Sequence, residues 1–442
     1  MSKEFDKYAS KSVFKKTIFN LGFQVAPIAL ALLIMPLLIN NLGKDFWAKY
    51  TAGISLVFLS NYFSFGIGPT LNRRVSELVG IKENHKIGKE MNECIALSYL
   101  LGIGFFFVLM TILSIGYWGK FLSILQSSSD FYFYILITTC FFLTLVIIPY
   151  KSALEAFSDF YFLSIVRATI SSSLFLVPLF LWSVNKCSLV NCAWALLFLY
   201  MVHWIIYYLR FKKHKSIFEF KSSFRLKIKE ILAPFKSFSS FFKEALGFSL
   251  FFICSATVLF FDRFYYPIFF NTEILSDHFT MLDLFNRVAI ITGTISLVYF
   301  SAISVWFNNQ SFDKIKKILK RQFLLVGFFF LSITLTTFFF LNDLMFWWLK
   351  DSFSDFIANT SFKIMVGVLI MNFSILIIRP LQAIGKMKEV NRILLGSTIL
   401  FLVLVVLFGV FERIEYHYVA FFVKGVFDII LLLVLLRKQR LL

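Results

Sequence analysis

Eight charged side chains sit inside long apolar runs of this sequence: Arg167, Asp262, Arg263, Asp283, Arg287, Arg379, Lys424 and Asp428. An ionised group in hydrocarbon costs about 2.5–3.5 kcal/mol on insertion scales, so each needs a partner or a task. Asp283 and Arg287 are four residues apart, as are Lys424 and Asp428, which stacks each pair on one helix face. The plainest use of such pairs is mutual neutralisation within a helical bundle. Asp159 and Arg167 are eight apart and share a face near a helix end. Asp159 and Arg379 both lie close enough to an end to reach interfacial water. Asp262 and Arg263 are adjacent, so they point to different faces and do not both serve one neighbour. Five of the eight are basic, a lining that suits an anionic group better than a lipophilic cation.

Polar and helix-bending residues accompany them. Gln24 shares its run with Asn20, Pro27, Pro36 and Asn40, and Asn61 precedes Gly66, Gly68, Pro69 and Asn72. Proline frees backbone groups that amide side chains or cavity water must satisfy, so Gln24 and Asn61 are candidates for lining a cavity. His203 reads as a packed residue before it reads as a proton carrier. No GxSxG, nucleotide-binding loop or HExxH occurs, and no metal site or cofactor is expected. Cys94, Cys140, Cys187, Cys192 and Cys254 form no CxxC and read as small apolar packing residues, with Cys187 and Cys192 close enough in sequence for a disulfide.

The elements that hold these residues follow from composition. Of 442 residues, 59% are hydrophobic and 16% charged, with a mean hydropathy of +0.80. Soluble domains carry about 25% charged residues, so a soluble enzyme is excluded. Crossing a hydrocarbon core of about 30 Å takes about 20 apolar residues. Twelve such runs fit, near 17–39, 48–71, 93–117, 131–150, 160–183, 190–209, 245–268, 279–306, 323–349, 359–381, 392–411 and 417–436. Membrane β-barrels are excluded, because their strands alternate in runs of about 10. The first run follows a basic start and is too long for a cleavable signal, so it is expected to remain as a span.

Charge then sorts the loops. Alternate loops and both termini hold about 32 of the Lys and Arg residues and the opposite loops seven, although the net charge is only +19. That asymmetry predicts that both termini are cytoplasmic. The stretch 210–244 mixes Lys and Arg with phenylalanines and reads as an amphipathic linker lying on the membrane surface. Features recur about 230 residues apart: Pro36 with Pro267, Lys86-Ile87 with Lys314-Ile315, and Ile147-Ile148-Pro149 with Ile377-Ile378-Arg379-Pro380. The expected architecture is an all-α polytopic membrane protein of twelve transmembrane helices in two six-helix lobes, 1–209 and 245–442, joined by 210–244. Parallel halves of this kind are a transporter layout, with the substrate site between them.

Local motifs add a resemblance. Met35-Pro36-Leu37-Leu38-Ile39-Asn40-Asn41-Leu42-Gly43, Phe65-Gly66-Ile67-Gly68-Pro69 and Asn72-Arg73-Arg74-Val75-Ser76 resemble the Wzx family of O-antigen and capsule repeat-unit flippases. Pro149 through Leu154-Glu155 to Arg167, and the Asp262-Arg263 segment, are similar to that family at the corresponding places. A G-x-Y opening the next helix in the family is replaced here by Phe279-Thr280-Met281. The resemblance implies the multidrug/oligosaccharidyl-lipid/polysaccharide exporter fold in a bacterial inner membrane. Its implied substrate is an undecaprenyl-diphosphate-linked oligosaccharide, flipped from the cytoplasmic to the periplasmic leaflet by alternating access. Arg263, Arg287 and Lys424 are then expected on the diphosphate or acidic sugars, with Arg167 near the entry. Asp262, Asp283 and Asp428 would balance charge or bind a coupling ion, with a proton or sodium gradient as the energy source. Membrane lipids, a polysaccharide polymerase and a chain-length regulator are the expected partners, and no nucleic acid. The rivals are a drug or metabolite antiporter of the same superfamily, and a membrane-embedded polymerase or acyltransferase. For an acyltransferase, His203 is the only deep histidine expected.

Overall fold

The computed structural model describes residues 22–23, 26–80, 83–120, 122–157, 159–217, 234–308, 310, 312–439 and 441. Among these there is no strand. The long helices, in chain order, are α1 (Ala26–Leu42), α2 (Lys44–Tyr62), α3 (Ile67–Gly80), α4 (Ile87–Gly119), α5 (Ser128–Ala156), α6 (Phe160–Ser183) and α7 (Leu189–Ile217). They continue with α8 (Pro234–Tyr265), α9 (Thr272–Asn308), α10 (Phe312–Leu349), α11 (Asp355–Phe373), α12 (Ile375–Ala383), α13 (Met387–Val410) and α14 (His417–Lys438). Nine helices among the described residues are long and apolar enough to cross a membrane. With α2–α3 and α11–α12 each counted as one interrupted helix, the described residues form twelve long helical segments.

The interruptions have local causes. Between α2 and α3, Phe65 (φ 46°) and Gly66 (φ 72°) are both left-handed, a conformation that stops a helix and favours glycine. Gly43 (φ 84°) separates α1 from α2 in the same way. At the start of α5, Ser127 and Asp130 form a reciprocal cap: each side chain accepts the other's backbone N–H at 3.1 Å. Several helices outrun the apolar segments read from the sequence, because polar end turns remain helical beyond the hydrocarbon. Of the expected linker 210–244, residues 218–233 lie outside the described ones; α7 continues through Ile217 and α8 starts at Pro234.

The chain forms two compact units. The first comprises Met1–Ile34 and Lys49–Ala256, the second Met35–Ala48 and Thr257–Leu442. In the first, Ile67, Leu71, Met91, Cys94, Tyr150 and Leu154 pack α3, α4 and α5 together. The opposite face of α4 exposes Ile103, Phe107, Ile112 and Ile115, a surface suited to lipid. All five cysteines are free thiols, and Cys187 and Cys192 stand 3.8 Å apart, Sγ to Sγ. Four of the five are buried, in keeping with packing.

In the second unit, the segment Met35–Ala48 is tied down by side chains. Lys44 pairs with Asp277 at 2.8 Å, and Ser354 donates to the same carboxylate at 2.6 Å. Trp47 Nε1 donates to Thr280 Oγ1 at 2.9 Å, and Asn40 bonds Ser352. Asp277 is 5% exposed, so its loss takes the acceptor from the partly buried Lys44 ammonium and Ser354 hydroxyl. Asp277→Ala is expected to cost about 2–3 kcal/mol of stability and Ser354→Ala about 1 kcal/mol, read as thermal unfolding in detergent.

Candidate functional site

The chemistry-bearing residues of the second unit gather where α8 turns into α9. The last turn of α8 carries Asp262 and Arg263, and a short 3-10 turn over Tyr266–Ile268 with Pro267 ends that helix. Asn271 Oδ1 accepts the Ile274 N–H at 3.0 Å and starts α9. His278 and Asp283 of α9 reach the end of α8.

As expected for neighbours in sequence, Asp262 and Arg263 serve different partners. Arg263 pairs with Asp283 of α9 and lies over the Phe279 ring, 5.0 Å from its centroid. Arg287, one turn further along α9, lies within electrostatic reach of both Asp283 and Arg263. The ion pair is thus Arg263 with Asp283, built across two helices, with Arg287 nearby on α9. Arg263 is buried, whereas the Asp283 side chain is 25% exposed.

Asp262 turns the other way. His278 Nε2 lies 3.2 Å from its Oδ2, and the His278 and His417 rings stand 4.9 Å apart by centroid. His417 is the first residue of α14, presented by a 3-10 turn over Ile414–Tyr416, and its Nδ1 is 2.7 Å from the Tyr266 hydroxyl. Asp262 is 1% exposed and both histidines 0%. His203 is therefore not the only deep histidine. It is a packed one, with Nδ1 on the Leu199 carbonyl at 2.6 Å and Nε2 3.2 Å from Thr169 Oγ1. His278 and His417 escaped notice because each stands near the start of a span, where a polar residue reads as interfacial. The hint available was a histidine six residues inside an apolar helix, directly across a tight turn from an aspartate.

The remaining expected site residues are dispersed. Lys424 and Asp428 form a buried ion pair along α14, and Lys424 also donates to Ser397 of α13 at 3.2 Å. Arg379 donates to Gln382 Oε1 at 3.3 Å on α12. In the first unit, Arg167 pairs with Glu155, whose other oxygen accepts from Asn72 at 3.3 Å. Asp159 takes Arg210 through two bonds of 2.6 and 3.2 Å. The shared face expected for Asp159 and Arg167 is not formed, because α6 starts only at Phe160 and Asp159 belongs to the turn before it. Gln24 lies outside the described residues, and Asn61 lies in α2 with its side chain outside them.

No family model matches the sequence, and no curated protein matches it. Solved structures do. An inward-facing multidrug resistance MATE family transporter of the MOP superfamily aligns over 96% of this chain and 98% of its own, with a TM-score of 0.63 and 14% identity. An outward-facing structure of such a transporter gives 0.64 over 98% and 96%, at 12% identity. A MOP superfamily transporter from Pyrococcus furiosus, described as having a binding pocket of reverse polarity, gives 0.59 over 96% of each chain, at 12% identity. The chain thus has the twelve-helix, two-lobe fold of these transporters.

Proposed function

We propose that the chain is an alternating-access transporter whose substrate is an undecaprenyl-diphosphate-linked oligosaccharide, moved from the cytoplasmic to the periplasmic leaflet of a bacterial inner membrane. The observation that carries this reading is the cluster of Arg263, Asp283 and Arg287. A guanidinium binds carboxylate and phosphate oxygens with the same two-pronged geometry. A diphosphate arriving at the partly exposed Asp283 side would take the place of that carboxylate on the guanidiniums. Asp283 would hold the arginines again once the substrate has left. Arg167 near the entry, Lys424 as a further contact, and Asp262 and Asp428 as charge-balancing groups complete the proposal. The sequence resemblance at helices one and two supports the same substrate.

A second reading, a drug or metabolite antiporter, is favoured by the solved neighbours, two of which are described as multidrug resistance transporters. A deletion strain separates the two. Lipid extracts holding a diphosphate-linked single repeat unit on the cytoplasmic leaflet, with surface glycan lost, support the flippase. Unchanged glycan with altered drug tolerance supports the antiporter, and unpolymerised units on the outer leaflet point to a polymerase. Within the flippase reading, Arg263→Ala and Arg287→Ala are each expected to lower surface glycan by about tenfold or more, with Arg263→Lys retaining part, because lysine keeps the charge but not the fork. Full glycan in both alanine variants would remove these residues from the site.

A further inference from the structure

We infer that Asp262, His278 and His417 bind one divalent transition-metal ion of the zinc, cobalt or nickel class within the second unit. The inference is independent of the transported substrate. One potential ligand atom from each residue lies within 4.8 Å of the others. Three helices contribute: Asp262 ends α8, His278 lies near the start of α9, and His417 opens α14.

Three features point to an ion rather than to ordinary packing. The first is orphaned polarity. Asp262 Oδ1, His278 Nδ1 and His417 Nε2 are buried and have no hydrogen-bond partner. A buried polar atom left this way costs about 1–3 kcal/mol, so three in one cluster call for a ligand. A cation engages a carboxylate and imidazole lone pairs at once.

The second feature is the disposition of His417. In the tautomer whose Nδ1–H donates to the Tyr266 oxygen, that bond fixes the ring and Nε2 carries the lone pair. Holding one ring nitrogen with an outer partner while the other faces the ion is how metal-binding histidines are oriented. At His278, Nε2 is 3.2 Å from Asp262 Oδ2. Metal–ligand bonds of about 2.0–2.1 Å in a tetrahedron set ligand atoms about 3.3 Å apart, so this edge already has the required length. The ion takes the place of the proton shared along that edge. The widest separation has to close by at most about 1.5 Å to reach the same spacing.

The third feature is chemical selection. Two imidazoles and one carboxylate suit zinc and its neighbours, whereas calcium and magnesium need shells of oxygen. Phe401 and Phe421 flank His417, with ring centroids 5.9 and 4.6 Å from it, so the surroundings are apolar. Arg263, the adjacent cation, pairs with Asp283 of α9. A bound ion would pin the ends of α8, α9 and α14 to one another.

The test uses the full chain, purified in detergent with an affinity tag free of histidine, stripped with a chelator and reloaded with Zn²⁺. Elemental analysis is expected to give one zinc per chain. Occupancy should fall by about tenfold or more in an Asp262→Asn, His417→Gln double variant and stay unchanged in His203→Gln. Cobalt in place of zinc should give the visible absorption of a four-coordinate nitrogen–oxygen site in the wild type and not in the double variant. Zinc should raise the unfolding midpoint of the wild type alone. Wild-type protein that takes up no zinc at micromolar free ion overturns the inference whether or not the variant folds, and so does equal zinc in the double variant.

Discussion

Asp428→Ala alone is expected to cost about 3–5 kcal/mol, enough to leave little folded protein in the membrane fraction. Its side chain is 0% exposed, that of Lys424 is 7% exposed, and the two form an ion pair along α14. Removing the carboxylate strands an ammonium whose other partner is the Ser397 hydroxyl. Removing both charges has a different outcome. Lys424→Met with Asp428→Leu replaces the pair by apolar groups of similar volume, a change that is often neutral or stabilising. The double variant is therefore expected to recover the yield and unfolding midpoint that either single change loses. Its transport then reports on the substrate role proposed for Lys424: full surface glycan would show that the pair is purely architectural. Glycan lost from a well-folded double variant would place Lys424 in the transport cycle.

Gly425→Val should be nearly as damaging, by a different route. A Cβ at Gly425 would lie 2.7 Å from the Met371 backbone nitrogen, 2.8 Å from its Cα and 2.9 Å from the Ile370 carbonyl carbon. These are backbone atoms of α11, which do not swing aside as a side chain would. Gly367 on α11 returns the contact, with a Cβ there 2.8 Å from the Tyr418 carbonyl oxygen of α14. Small residues let two helices approach this closely within a membrane, where dispersion and weak polar contacts replace the hydrophobic drive. Forcing the two apart is expected to cost about 3 kcal/mol, seen as a lower unfolding midpoint and a broadened size-exclusion peak. Gly396→Ala on α13 is the control. A Cβ there meets nothing within 4 Å, and alanine in a helix interior gains up to about 1 kcal/mol over glycine. Equal damage from both substitutions would mean that close approach is not what Gly425 provides.

Asp428 and Gly425 lie on one helix, α14, which carries three separate tasks. Its first residue, His417, closes the pocket against Asp262 and His278. Gly425 admits the backbone of α11. Lys424 and Asp428 hold a charge pair that helix spacing alone puts together.

Features that depend on local period and on solvent can be read along the chain. Runs of about 20 apolar residues leave the chain no soluble solution and no barrel, so the helical membrane class and the count of twelve spans could be read directly. The i,i+4 spacing of Lys424 and Asp428 was enough to pair them, since a helix places those positions together whatever surrounds it. The interruption after α2 was foreshadowed by Gly66, Gly68 and Pro69. Only the tertiary structure decided partners that come from different helices. Arg263 joins Asp283, Arg167 joins Glu155 and Asp159 joins Arg210, and none of these follows from spacing along one face. The assignment of Met35–Ala48 to the second unit likewise rests on Lys44 and Trp47 reaching residues more than two hundred positions away. The Asp262–His278–His417 pocket is the extreme case. Its members span three helices with no motif spacing between them, and what brings them together is the turn from α8 to α9 and the packing of α14 beside it.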